Sequence, residues 1–227
     1  MDQAEKEAFE RTIEIRYKRF HESSLELIPG LTRDMCFYSP REVLTGLDEN
    51  QVVKDWHKWL LEEYEPPKKE VALLFPDSER KPWIRDKTSD RSYKNLHIAF
   101  KSLDLYDRVH VLSVSTILGI VPEERFEDMP LYETGGMFSW SVKKRGLEWD
   151  PMAFKEVLRR LGEIISQYLE KHKDNYQKVV SIYRTPSVHE RIVENAYDLN
   201  PFKLVKLTTK KPLAKSYSAL KDMLKTI

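Results

Sequence analysis

This chain predicts an α/β fold with a mainly parallel sheet and helices on both faces, preceded by N-terminal helices. Three observations carry that expectation. Apolar or β-branched runs at residues 71–75, 109–115 and 178–183 alternate with segments of helical period, and strands alternating with helices build parallel sheets. The first run is apolar at every position, the pattern of a strand buried on both faces. It then breaks into Pro76-Asp-Ser-Glu-Arg-Lys-Pro-Trp83, and open α/β sheets present ligand-binding groups where their strands end.

Taken in order, residues 4–21 predict an amphipathic helix with Phe9, Ile13, Tyr17 and Phe20 on one stripe. Pro29-Gly30 and Ser39-Pro40 are turn signals. Asp48, with Gln51 three residues later, predicts the start of a second helix whose inner face carries Val52, Trp56, Trp59 and Leu60. Pro66-Pro67 stops it and sets a boundary between an N-terminal helical segment, 1–65, and an α/β core domain, 66–202. Within the core, 89–103 reads as a helix on Leu96, Phe100 and Leu103, and 116–121 as an apolar turn. Asp150-Pro151 is a cap followed by proline at the first helical position, and it opens the strongest helix, along Phe154, Val157, Leu158, Leu161, Ile165 and Tyr168. A further helix is expected at 188–196. Residues 203–227 form a basic tail with seven Lys and one Asp, in which 204–207 suit an edge strand and 216–224 a short helix.

Composition narrows the function classes. The chain has 227 residues, 38 basic and 37 acidic, for a net charge of +1. No global field draws nucleic acid, so any such binding must come from local patches. Charged residues at 33% with few glycines resemble the composition of heat-adapted proteins. A single cysteine, Cys36, excludes an internal disulfide framework and a multi-thiolate metal site. The N-terminus is charged, and no stretch has the roughly 20 apolar residues that span a bilayer. A soluble, cytoplasmic protein is the expectation. The six histidines show no metal-binding spacing, and no phosphate-loop or dinucleotide glycine pattern occurs. Neither a metal nor a cofactor is expected.

The leading site is the loop at 76–83. Prolines on both sides limit its freedom. Lys81 is placed to hold a phosphate or a developing negative charge, and Asp77 and Ser78 to contact a base edge or an amine. The alternative is a strand-end turn in which Asp77 and Ser78 satisfy loop amides and Lys81 is solvated. Trp83 suits base stacking or a lid on the core, and both readings stand. Ser113 and Ser115 project to one face of their strand, to line a pocket beside Thr116 or to let a helix approach. Gly119 permits a tight turn or close ligand approach, and Gly135-Gly136 a flexible loop. Trp56 and Trp59 share a helical face and belong to the core, unless they are exposed as a partner surface. The Lys-rich tail suits a phosphate backbone or plain solvation.

These residues resemble a known family, the core domain of archaeosine synthase, a tRNA-modifying relative of tRNA-guanine transglycosylase. Three blocks carry the resemblance. The first is Tyr64-Glu-Pro-Pro-Lys68, then Leu73-Leu-Phe-Pro76, then Lys81-Pro-Trp83 after Asp77 and three further residues. The second is Thr116-Ile-Leu-Gly-Ile-Val-Pro-Glu-Glu124, and the third Pro130-Leu-Tyr-Glu133 leading to Gly136 and Trp140. Together they span roughly residues 60–200. The resemblance implies a three-layer α/β sandwich like that of uracil-DNA glycosylases. It implies a part in adding lysine to the nitrile of 7-cyano-7-deazaguanine in tRNA. It implies tRNA and a transglycosylase-type protein as partners, with this chain acting within a split enzyme. Asp77 and Lys81 then stand as catalytic positions, and Pro76, Ser78, Trp83, Ser115, Thr116, Gly119 and Tyr132 as substrate-binding ones, with Glu133 beside Tyr132. The chain departs from the family pattern at four places. Asp77 occupies the family's cysteine, and Trp83 its tyrosine. Leu131 replaces a histidine, and the motif histidine falls on Asp86, Ser89 or Ser92. A carboxylate cannot replace sulfur in a thioimide, which leaves a base or an amine-binding group as the role for Asp77. The alternative functions are a non-catalytic nucleic-acid-binding or assembly module with a degenerate site, and an enzyme acting on DNA bases.

Overall fold

The computed structural model describes the backbone of residues 3–227 and side chains from residue 11 onward. The chain runs α1 (Gln3–Leu27), α2 (Pro40–Glu49), α3 (Gln51–Lys58), β1 (Lys69–Pro76), α4 (Arg91–Leu103), β2 (Val109–Ser115), β3 (Gly119–Pro122), α5 (Ser139–Lys144), α6 (Pro151–Lys171), β4 (Tyr176–Arg184), α7 (Val188–Leu199), β5 (Leu204–Thr209) and α8 (Tyr217–Leu224). Among the described residues the strands form one sheet in the order β3-β2-β1-β4-β5. β2, β1, β4 and β5 are parallel, and β3 is antiparallel to β2.

Helix starts follow the caps. Asp150 accepts from the Met152 and Ala153 amides and Asp90 from those of Ser92 and Tyr93, satisfying donors that have no partner inside a helix. Ser187 and Glu190 form a reciprocal capping box at α7. The second predicted helix starts at Asn50, which caps α3, and not at Asp48, which lies in the last turn of α2; Ser39-Pro40, expected as a turn, is the cap and first residue of that additional helix. The apolar stretch after β2 is not only a turn, because residues 119–122 fold back as β3. On α1, Ile13, Tyr17 and Phe20 are half-buried as expected, and the side chain of Phe9 lies outside the described residues.

The topology fixes where ligands can sit. From β1 the chain moves outward to β2 and β3, then returns across the sheet to β4 on the other side of β1. Right-handed crossovers that run in opposite directions place their helices on opposite faces. Accordingly α4 packs with α8, while α6 packs with α7 and α2. Every residue of β2 is buried, as is the middle of β1. The point where strand order reverses lies between the carboxyl ends of β1 and β4, and a crevice opens at such a point. Trp56 is buried, with its Nε1 donating to the Ile120 carbonyl at 3.1 Å, and Trp59 is half-buried against it, so this pair is core and not a partner surface. No helix among the described residues is long and apolar enough to cross a membrane.

Candidate functional site

A cavity of about 610 Å³ opens at that crevice, within the usual range for small-ligand sites. Asp77 lines it as the first residue beyond β1, its amide bonded to the Val114 carbonyl of β2 at 3.0 Å. One carboxylate oxygen accepts from the Tyr132 hydroxyl at 2.6 Å and the other meets His189 Nε2 at 2.6 Å. His189 sits in the first turn of α7, where the Ser187–Glu190 capping box sets its position. A carboxylate only accepts, so Nε2 carries the hydrogen that faces Asp77, and Nδ1 is the ring nitrogen outside that bond. The Asp77 and His189 side chains are 10% and 17% exposed, enough for a ligand to reach and too little for free solvation.

Charge is concentrated around this pair. Lys81 is buried at 6% exposure, with its Nζ donating to the Ser78 carbonyl at 2.8 Å and lying 4.2 Å from the Tyr132 ring centroid. Burial pushes the Lys81 ammonium down from its ordinary value, against the opposing pull of Asp77 and Glu133. For Asp77, burial alone would push the carboxyl up. The charge and hydrogen bond of His189, then Lys81 and Tyr132, outweigh it and hold the carboxyl below its usual range. Burial raises the Glu133 carboxyl despite Lys81 and the Gly135 amide. Burial, with Asp77 adjacent, drives the Tyr132 hydroxyl far above ordinary, so it stays a proton donor. Glu133 is itself anchored by the N-terminal segment, since the Phe37 amide donates to its carbonyl at 2.7 Å and its amide to the Met35 carbonyl at 3.0 Å.

The structure brings Asp77, Ser78, Lys81 and Thr116 to this cavity, with Tyr132 bonded to the Asp77 carboxylate. Pro76 lines an adjoining cavity that shares Asp77, Ser78 and Glu79. Trp83 offers no face to a base: it is fully buried, stacked on Tyr93 at 4.8 Å and 8°, with its Nε1 donating to Ser78 Oγ at 2.8 Å. Of its two readings the core one holds, because Tyr93 of α4 and Phe126 enclose it. Ser115 is buried and caps the following turn through the Ile117 and Leu118 amides. Thr116 Oγ1 pairs with Thr134 Oγ1 at 2.5 Å. Gly119 has φ +74, and a Cβ there would meet Ile164 Cγ2 at 2.7 Å, so it serves close approach of α6 and not of a ligand.

His189 was the residue missed. Nothing in its spacing marks it, because 112 residues separate it from Asp77. None of Asp86, Ser89 or Ser92 takes up the partnership with Asp77 that His189 makes. The signal that was available is the Ser187-x-x-Glu190 box, which places residue 189 in the first turn of a helix that follows a parallel strand. Cys36 does not supply the thiol that Asp77 lacks. It is buried with its Sγ directed to the Thr32 carbonyl at 3.4 Å, it lines a different cavity, and burial raises its pKa.

One grouping of possible metal ligands occurs among the described residues, His110, Glu123 and Glu124, with donor atoms within 4.8 Å of one another. It lies near the start of β2, at the end of the sheet away from Asp77. Its groups already pair within the protein: His110 Nδ1 is 2.7 Å from the Tyr176 hydroxyl, and Glu124 accepts from Tyr64 at 3.1 Å. It stands apart from the cleft chemistry.

Comparison with known proteins gives three findings. A family model described as a domain of unknown function (DUF5591) matches residues 53–227. Archaeosine synthase subunit alpha of Thermococcus kodakarensis is 25% identical over 176 residues, covering 77% of this chain and 28% of that protein. This chain therefore spans less than a third of that relative's length. A crystal structure of AF0587, a protein of unknown function, matches with a TM-score of 0.46 and 20% identity over 75% of this chain and 48% of that one.

Proposed function

The chain belongs to the DUF5591 family and is related to archaeosine synthase, and from that premise we propose that it is a tRNA-modification protein whose Asp77–His189 cleft binds a 7-deazaguanine-type base. The observation that supports this reading best is the Tyr132–Asp77–His189 chain of hydrogen bonds at the topological switch point, beside the buried Lys81. A carboxylate that fixes one imidazole nitrogen leaves the other basic, and such a group can carry a proton for an attacking amine. The single cysteine lies elsewhere, so the thioimide route has no thiol at this site. In this proposal an amine adds directly to a nitrile carbon. The new C–N bond forms as one nitrile π bond opens, the amine proton passes to His189 Nδ1, and a proton from Lys81 or solvent reaches the nitrile nitrogen to complete an amidine.

The same reading carries the finer proposals that the sandwich is like that of uracil-DNA glycosylases, that tRNA is the macromolecular substrate, and that a transglycosylase-type protein completes the enzyme. One specific observation favours a second reading, a binding module without catalysis: Asp77 occupies the family's cysteine. Mass spectrometry of tRNA nucleosides tests both, comparing cells that carry the wild-type gene, no gene, or Asp77→Ala. A modified base that disappears in the last two supports the enzyme. Retention in Asp77→Ala supports the module, and a profile unchanged by deletion overturns both.

A further inference from the structure

We propose that Trp140 is a stacking platform for a nucleobase of single-stranded RNA at the mouth of the Asp77–His189 cleft. The proposal deepens the functional reading above and rests on it. Five tryptophans occur in the chain. Trp83 and Trp56 are buried, Trp59 and Trp149 pack against the core, and Trp140 alone is left 69% exposed. A lone surface hydrophobe is ordinary, but this one lines the cavity that holds Asp77, Lys81 and His189. A large rigid aromatic offered to solvent at such a place has the geometry that binds a base face.

The turn that leads into α5, the helix that carries Trp140, is fixed before any ligand arrives. Gly135 and Gly136 take left-handed φ values of +55 and +78, turning the chain sharply from Glu133 into α5. Arg145 clamps that turn from behind, donating to the Gly135 carbonyl and, at 2.7 Å each, to the carbonyls of Gly136 and Tyr38. Ser141 Oγ donates to the Gly135 carbonyl at 3.0 Å. A platform held in this way loses little freedom on binding.

Carboxylates and cations both line the cleft, and its exposed arginines are the groups that suit nucleic acid over an apolar partner. Arg184 at the end of β4 and Arg191 on α7 line the same cavity, are exposed, and form no ion pair among the described residues. Arg184 also lines the adjoining cavity with Arg80 and Arg91, so guanidinium groups continue from one cavity into the next. Arg191 rests over the Phe138 and Phe154 rings, 5.3 and 5.9 Å from their centroids, and stays exposed; exposed guanidinium groups beside an exposed indole suit alternating phosphates and bases.

The test is fluorescence anisotropy with a labelled single-stranded oligoribonucleotide and a fully abasic counterpart of equal length. The wild type should bind the first more tightly. Trp140→Ala should weaken that binding about 5- to 150-fold, the range for loss of one stacked base. Trp140→Phe should recover most of it, and binding to the abasic strand should hardly change. Because residue 140 is exposed, both variants should melt like the wild type, and that is checked by circular dichroism. Equal affinity of Trp140→Ala and wild type overturns the platform while leaving the functional reading intact. An equal loss on both strands also overturns it, since the contact would not be to a base. No binding by the wild type overturns the platform together with RNA recognition.

Discussion

At the residue scale the decisive feature is that Asp77 has two partners and each does different work. Tyr132 fixes the carboxylate plane, and His189 supplies the group that can exchange a proton. On the proposed function, Asp77→Asn should reduce modification by 100-fold or more, as for loss of general acid–base function. It should also cost about 1–3 kcal/mol of stability, since it removes the ionised partner of a hydrogen-bonded pair, as urea denaturation would show. The Asp77 carboxyl is held below its ordinary value in the fold, so its stabilisation is complete above the unfolded pKa near 4 and is lost as pH falls through the folded value. Acid titration of Asp77→Asn should show a shallower loss below about pH 4 than the wild type. Lys81 gives a separate check: reductive 13C-methylation followed by NMR titration should show one dimethyl-lysine resonance titrating below the surface lysines, because burial disfavours its charge. Conversion of the surface lysines with no early titration would count against the buried amine.

At the element scale, α7 is the device that delivers His189, and its capping box controls the delivery. Ser187→Ala removes the acceptor for the Glu190 amide, and should cost about 1 kcal/mol of stability and, on the proposed function, a larger fractional loss of modification, because the first turn carries His189. If melting falls and activity does not, the cap serves only the helix. Gly119 makes a similar point for packing. Its positive φ and the approach of Ile164 predict that Gly119→Ala destabilises by roughly 1–3 kcal/mol without a specific effect on ligand affinity. The basic C-terminal stretch behaves as structure more than as a free tail, since β5 extends the sheet beside β4 and Leu220 and Leu224 of α8 are buried.

At the scale of the whole molecule, three histidines tie stability to pH. Burial lowers His57 to about 4 and also lowers His97 and His172. In the unfolded chain each takes a proton near pH 6.5, so the unfolded state binds more protons and stability falls as pH drops from about 6.5 toward about 4. Thermal melting across that range should show the loss, and His57→Gln should flatten part of it. The fold was largely legible along the chain. Apolar runs at 71–75, 109–115 and 178–183 mark three of the parallel strands, and Asp150-Pro151 marks the longest core helix, because burial of both strand faces and capping of free amides are short-range demands. The antiparallel β3 was not legible, since a four-residue apolar strand after a turn has the same pattern as the turn itself.

What the sequence determined by itself is the alternation of strands and helices and the polar loop at 76–83, with Asp77 and Lys81 at the end of a buried strand. These follow from residue type and neighbours, so local periodicity and proline stiffness suffice. Only the tertiary structure decided which partner Asp77 receives and which tryptophan faces solvent. The return of the chain from β3 to β4 brings His189 across 112 residues to the carboxylate. Tyr93 of α4 and Phe126 enclose Trp83, while the turn clamped by Arg145 leaves Trp140 outside. No local pattern separates these two indoles, because exposure is set by what lies opposite a side chain, and that is fixed by long-range packing.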